Sequence, residues 1–478
     1  MSAAPLWRVD AMAAAMGARQ EGTLPASVGG LSIDSRTLVL GEAFFALTDI
    51  RDGHDFVDAA LKNGAALAVV AHAKRRAMPA AAPLLVVPDV LGALRDLAGA
   101  ARARSRARFI GVTGSVGKTG TKEALRIALS ADGAVHASAA SYNNHWGVPL
   151  SLARCPETAA YAVLEVGMNH PGEIEPLSRL IRPHIAIITT IEPVHLEFFK
   201  SIAAIADAKA EIFSGLEPGG AVVLNSDNAQ YARLEKAAQG AGVSRIVGFG
   251  EHAEADARLI KCALQPESST VQADILGHDV TYKLGAPGRH VVLNSLAVLA
   301  ATALAGADLA LAALALQNLQ PATGRGARLT LDLPGGPALL IDESYNANPA
   351  SMRAALALLG QSPIGARGRR IAVIGDMLEL GPKGAQLHRQ LKGPVLDHAI
   401  DLVFCCGPLM KSLWDALPSE RRGGYAETSA ALEAEVLGAV RAGDAVMVKG
   451  SLGSKMGPLV KTLTLQYSST GASAPAQG

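Results

Sequence analysis

The sequence predicts an α/β protein built as three successive blocks, each a sheet covered by helices. Short apolar runs of strand length recur along the chain and alternate with Ala-rich helical stretches, the pattern of mostly parallel sheets with helices on both faces. The length of 478 residues corresponds to about three domains at ~150 residues each. Hydrophobic residues make up 49% of the chain and charged residues only 18%, enough apolar side chain for several cores and too little charge for a disordered polymer.

The first block, 1–105, has apolar runs at 31–33, 43–47, 67–70 and 84–87, punctuated by turn signals such as Asn63-Gly64 and Pro88-Asp89, and reads as a small α/β unit. The basic run 102–108 that follows reads as a solvated helix face or linker. In the second block, 106–318, strands are expected at 108–112, 161–166, 185–191 and 221–224. Residues 271–284 alternate like an antiparallel pair. The stretch 296–316 imitates a membrane span with a single charge, Asp308, but Ala dominates it. Gly306-Ala307-Asp308 reads as a helix stop followed by an N-cap, hence two buried helices. The third block, 319–467, is a doubly wound unit with strands expected at 338–341, 370–374, 402–406 and 445–448. The tail, 468–478, rich in Ser, Ala, Gly and Pro, is expected to be disordered.

Charge and cysteine usage exclude several function classes. With 44 Lys or Arg against 43 Asp or Glu, the net charge of +1 gives no electrostatic basis for binding nucleic acid or a membrane surface. Cys155, Cys262, Cys405 and Cys406 have neither zinc-ligand spacing nor the pattern of a disulfide framework, which suits a reducing compartment. The apolar stretch 11–16 is too short for a signal-peptide core, so a cytoplasmic protein without membrane insertion is expected.

The sharpest chemical signal follows the strand at 108–112. Gly114, Ser115, Val116, Gly117, Lys118, Thr119 and Gly120 form a glycine-rich turn running into a helical pattern. Glycines let backbone N–H groups converge on phosphate oxygens, the helix N-terminus and Lys118 add positive potential, and the Thr119 hydroxyl suits magnesium. The general phosphate-loop pattern places a glycine five residues before Gly117, where this chain has Val112, so the loop is a shorter variant. Glu165 ends an apolar strand, where a carboxylate is costly unless paired or bound to metal. It is an edge residue, a salt-bridge partner or a ligand at the carboxyl ends of the strands, where α/β sheets collect ligands. His195 follows the next strand at the same end; an isolated histidine is commonly structural, and this placement also suits a shared magnesium and phosphate site. Lys209 falls on the apolar stripe of Ile205 and Ile212. Spacing alone favours a lysine that snorkels to water, the alternative being a desolvated amine of lowered pKa, open to modification. Arg325, in Gly324-Arg325-Gly326, sits where an interdomain linker could clamp a phosphate, and Asp342, Asp376 and Lys449 end or follow strands of the third block.

These motifs, in this order, resemble the Mur ligase family of ATP-dependent amide-bond-forming enzymes. The likeness spans nearly the whole chain. It rests on Asp34-Ser35-Arg36, Phe44-Phe45-Ala46-Leu47, Asp52-Gly53-His54, the run from Thr113 to Thr119, and Asn143-Asn144-His145-Trp146-Gly147. It continues through the runs beginning at Glu165, Asp342 and Gly375. Trp146 stands where the motif usually has a smaller aliphatic residue, and Met168 where it usually has Ala.

The resemblance implies a uridine-nucleotide-binding N-terminal domain, a central ATPase-like phosphate-loop domain and a Rossmann-like C-terminal domain. It implies that residues 114–120 hold ATP, with Asn294, Arg325 and Asp342 as further nucleotide contacts, and that Thr119, Glu165 and His195 hold magnesium, as two ions. Lys118, Glu165, His195 and Lys209 would be catalytic, Lys209 as a carbamylated lysine. Ser35 and Arg36 would contact the uridine nucleotide, and Asn143 and Asn144 would line the passage from substrate to phosphates. The implied substrates are UDP-N-acetylmuramoyl-tripeptide and D-alanyl-D-alanine, joined through an acyl phosphate by a monomer. Two rivals share parts of the pattern. A folylpolyglutamate synthase lacks a block like that around residues 34–36, and a non-ligase phosphate-loop ATPase has no need of two further blocks with polar strand ends.

Overall fold

The computed structural model describes residues 5–139, 141–194 and 197–467; His195 and the 468–478 tail lie outside the described residues. Three large sheets follow one another along the chain, beside a two-stranded antiparallel pairing of Trp7–Arg8 with Ser27–Val28, in keeping with the α/β expectation. In the first, Gly30–Ser32, Glu42–Phe45, Leu67–Ala71 and Leu84–Val87 pair in parallel, and Arg19–Glu21 joins Leu84–Val87 antiparallel. The four apolar runs expected there are all strands.

The central sheet has nine strands. Arg108–Thr113 is third from one edge, which Val135–Ala137 forms, and is flanked by Ile185–Ile188 on one side and Tyr161–Glu165 on the other, all parallel. The loops that follow these three strands therefore emerge side by side. Beyond Ile185–Ile188 come Ala221–Asn225, Arg245–Gly250 and Ala257–Leu264, then the antiparallel pair Ser269–Ile275 and His278–Leu284. The strand expected at 185–191 stops at Ile188, because Thr189 and Thr190 turn onto the glycine loop: Thr189 Oγ1 donates to Val116 O at 2.6 Å, and Thr190 O accepts from Ser115 N at 2.8 Å. The apolar stretch 296–316 forms two helices, within Arg289–Leu304 and Leu309–Ala315, divided by Gly306 at φ 82° and capped by Asp308, whose side chain accepts from Leu311 N. Among the described residues no helix is long and apolar enough to cross a membrane.

In the third sheet Gly336–Glu343, Ala445–Lys449, Arg370–Gly375, Leu402–Cys406 and Arg422–Ala426 run parallel, with Ala327–Leu333 antiparallel at one edge. Apolar clusters fill both faces, around Leu356, Ile374 and Met447 on one and Val373, Val448 and Leu459 on the other. Edge strands carried the weakest sequence signal. Arg422–Ala426 contains Gly423 and Gly424, and Ala327–Leu333 alternates apolar and polar residues along an edge that is only partly buried.

The basic run 102–108 departs from expectation. Helix Val90–Arg104 packs against helix Gly147–Ala153, and one apolar core holding Leu94, Leu97, Val148 and Leu152 runs from the first sheet into the central one. Arg102 of the same helix is buried, and its guanidinium donates to Ile181 O at 2.7 Å, Arg182 O at 2.9 Å and Glu217 Oε1 at 2.9 Å while lying over the Phe109 ring. Arg104 lies over the Trp7 ring and donates to Leu6 O. A charge run becomes structural here because its fork-shaped donors satisfy carbonyls that the packed helices leave open. Removing one such donor leaves buried acceptors unpaired. Arg102→Ala is therefore expected to cost about 2–3 kcal/mol of stability, and Arg106→Ala, at an exposed position, less than about 0.5 kcal/mol, read from thermal or urea unfolding of the two variants.

Candidate active site

The turn after Arg108–Thr113 is shaped by close approach. A Cβ added at Gly114, which has φ 147°, would stand 1.9 Å from Thr189 Oγ1, so only glycine fits. Gly117, at φ 89°, caps helix Lys118–Ser130, and a Cβ there would stand 2.6 Å from Asn294 Nδ2. Asn294, on helix Arg289–Leu304, thus lies against the phosphate loop. Ser115 is buried and faces Glu192: its hydroxyl donates to Glu192 O at 3.1 Å and accepts from Glu192 N at 3.0 Å. Lys118 folds back to donate to Gly114 O at 2.8 Å. Burial pushes its pKa down, the Glu165 carboxylate opposes that, and the Arg325 guanidinium adds to it.

Glu165 ends the neighbouring strand with its side chain buried, 1% exposed. Its two oxygens are each held: Oε2 accepts from Thr119 Oγ1 at 2.8 Å and Oε1 from Asn143 Nδ2 at 2.7 Å. Among the described residues the partners of Glu165 are thus a hydroxyl and an amide rather than a cation. The carboxylate joins the phosphate loop to the turn that starts at Tyr142.

Lys209 ends up 2% exposed on helix Ile202–Ala210, so the snorkelling alternative is excluded. Its amine makes no hydrogen bond among the described residues. Burial pushes its pKa far below the ordinary lysine value, with the Lys118 ammonium adding and the Glu211 carboxylate opposing. Glu211 itself accepts backbone N–H groups from Gly172, Ile174 and Glu175, anchoring the start of helix Ile174–Ile181.

Arg325 reaches across from the third sheet. One guanidinium nitrogen donates to Ser141 Oγ at 3.1 Å, and the group lies 4.2 Å from the Tyr345 ring centre. Asp342 is buried and accepts from Gly324 N at 2.9 Å, Ser344 N at 3.1 Å and Ser344 Oγ at 2.6 Å, so its hydrogen bonds fix the turn that carries Arg325. Asn144 likewise has a local partner, its Oδ1 accepting from Gly147 N at 2.8 Å at the start of helix Gly147–Ala153.

Residues 114–120, Glu165, Asn143, Lys209, Asn294 and Arg325 thus converge at one end of the central sheet. Ser35 and Arg36 stand apart, in a cleft of 390 Å³ between the first sheet and the turn holding Tyr142, His145 and Trp146. The sequence reading missed Thr189, which shapes the loop, and the direct bond of Asn143 to Glu165. Thr189 carried no local signal, because its importance arises from strand pairing 76 residues away from Thr113. No group of three or more His, Cys, Asp or Glu able to hold a metal occurs among the described residues.

Residues 112–302 match the Mur ligase middle domain, and residues 328–452 match the domain described as Mur ligase, glutamate ligase domain. The chain is similar to the UDP-N-acetylmuramoyl-tripeptide–D-alanyl-D-alanine ligase of Rickettsia prowazekii, 31% identical over 455 residues, covering 95% of this chain and 99% of that protein. It is 34% identical over 439 residues to the Escherichia coli ligase of the same name, covering 91% and 94%. Among solved structures it is similar to MurF from Acinetobacter baumannii, with a TM-score of 0.82 at 29% identity, covering 97% and 99%. The chain belongs to the Mur ligase family.

Proposed function

We propose that this chain is an ATP-dependent ligase that joins D-alanyl-D-alanine to the terminal carboxylate of UDP-N-acetylmuramoyl-tripeptide, in cytoplasmic synthesis of the peptidoglycan precursor. The observation that carries the reading is the Thr119–Glu165 contact of 2.8 Å, which brings a buried carboxylate to the mouth of a phosphate loop. The likeness to ligases of that activity over more than nine-tenths of the chain supports the choice of substrates. In this reading the first sheet takes the uridine nucleotide, the central sheet ATP, and the third sheet closes over the reacting groups.

A carboxylate is a poor acyl donor because its leaving group would be oxide. Its oxygen attacks the γ-phosphorus of ATP, ADP leaves, and an acyl phosphate forms. The dipeptide amine, having lost a proton, then attacks the acyl carbon, and inorganic phosphate leaves with the C–O bond pair. The protein contributes position and charge neutralisation to both steps. The backbone N–H groups of the loop and Lys118 cradle the phosphates, with Arg325 approaching from the third sheet and Asn294 from helix Arg289–Leu304. Asp342 orders the linker turn behind Arg325.

The Thr119 and Glu165 oxygens suit magnesium, which takes one or two protein oxygens and keeps water and phosphate oxygens for the rest of its octahedron. When bound there, magnesium supplies positive charge against the phosphate oxygens, with His195 as a further ligand in this reading. Asn143 fixes the orientation of Glu165 through its other oxygen. The burial of Lys209 favours a neutral amine, which adds carbon dioxide and loses a proton to become an anionic carbamate.

ADP release is the direct test: it is expected to require both UDP-tripeptide and D-alanyl-D-alanine for sustained turnover, and acceptor-independent hydrolysis at the same rate would refute the ligase reading. Lys118→Ala is expected to lower amide formation by at least about a hundredfold while UDP-tripeptide affinity, measured by calorimetry, changes less than about twofold, because the two clefts share no side chain. Lys209→Ala is expected to lose most activity yet unfold at a normal temperature, with formate or acetate restoring part of the rate. Lys209→Arg is expected to be inactive, since guanidinium stays charged and forms no carbamate.

A further inference from the structure

The cleft between the first sheet and the central sheet has two unlike walls. One wall comes from the first block and sets the apolar Ile33, Leu47 and Phe56 beside the polar Ser35, Thr48 and Asp49. The other comes from the central block and is aromatic, formed by Tyr142 and Trp146. The two rings meet edge to face, with centroids 5.3 Å apart and planes at 63°, an arrangement that covers one ring face at most. Trp146 is half-buried and lines the cleft. At the rim Arg36 is forked onto Asp34, through contacts of 2.9 and 2.6 Å, and holds that carboxyl down to about 2. Arg51 is exposed and makes no side-chain hydrogen bond or ion pair among the described residues. The cleft therefore offers aromatic and apolar side chains beside polar ones, with the Arg51 cation at its mouth, and its 390 Å³ lies within the usual size range of small-ligand sites. That combination fits a planar base carrying an anionic tail.

We propose that Trp146 stacks on the uracil ring of the UDP-linked substrate and that Arg51 meets its diphosphate. The inference rests on the ligase reading and goes beyond it by assigning recognition of the base to a residue of the central block. The turn that carries Trp146 also carries Asn143, whose amide holds Glu165. The base-binding slot and the reacting end are thus connected through four residues of chain, and the nucleotide ties the first two sheets together.

The test is titration of the full chain and its variants with UDP alone. The wild type is expected to bind UDP, with Trp146→Ala weakening it about tenfold or more, the loss typical of one stacked base. Trp146→Phe, which keeps a ring, is expected to stay within about threefold of wild type. In turnover, Trp146→Ala is expected to raise KM for UDP-tripeptide by a similar factor while kcat and KM for ATP change less than about twofold. UDP is expected to quench the tryptophan fluorescence of the wild type but not that of Trp146→Phe, and inorganic pyrophosphate to quench neither. Equal UDP affinity in wild type and Trp146→Ala overturns the proposal and leaves the ligase reading standing. Absence of UDP binding to the wild type overturns the ligase reading and the proposal with it.

Discussion

A buried carboxylate organises this protein. Glu165 lies at the end of a central strand, where an unpaired charge would be prohibitively costly, and its two oxygens are held by one hydroxyl and one amide. Thr119 belongs to the phosphate loop and Asn143 to the turn beside the first sheet, so satisfying one charge fixes the position of both neighbouring segments. The arrangement needs three adjacent parallel strands in register: Arg108–Thr113 beside Tyr161–Glu165, with Val112 opposite Glu165, and Ile185–Ile188 on the other side, carrying Thr189 to the loop.

Arginines hold the three sheets against one another. Arg102 fastens the first block to the central one, Arg154 of the central block donates to Leu31 O of the first, and Arg325 reaches Ser141 from the third block. Each donates to a carbonyl or hydroxyl at a seam where regular pairing has ended. Fork-shaped donors at these seams satisfy open backbone groups, and Arg102 adds the Glu217 carboxylate to the carbonyls it holds. The third block adds a backbone contact, Glu197 N to Glu379 O at 3.2 Å, at the strand-end side of both sheets.

Burial pushes down the pKa of both lysines of the site, against different opposition. Lys118 keeps a hydrogen-bond acceptor and the field of Glu165, which oppose its desolvation. Lys209 makes no hydrogen bond among the described residues, and Lys118 adds to its desolvation while only the Glu211 carboxylate opposes it, so its amine is driven toward the neutral form. Two lysines of like sequence character thus acquire different chemistry from their surroundings.

The sequence by itself determined the fold class, the parallel core strands, the helix break at Gly306 and Asp308, and the phosphate loop, because each rests on local periodicity or on a short run of residue types with one physical use. Edge strands such as Arg422–Ala426 escaped it, since an edge strand half open to solvent needs no apolar run. Lys209 was ambiguous in the sequence because a stripe of apolar spacing fits both an edge and an interior; only packing against neighbouring elements decided that the side chain is enclosed. The same holds for Arg102, for the reach of Thr189 onto Gly114, and for the meeting of Asn143 with Glu165. Each joins residues far apart in the chain, and such a contact exists only once the sheets have paired and the helices have closed over them.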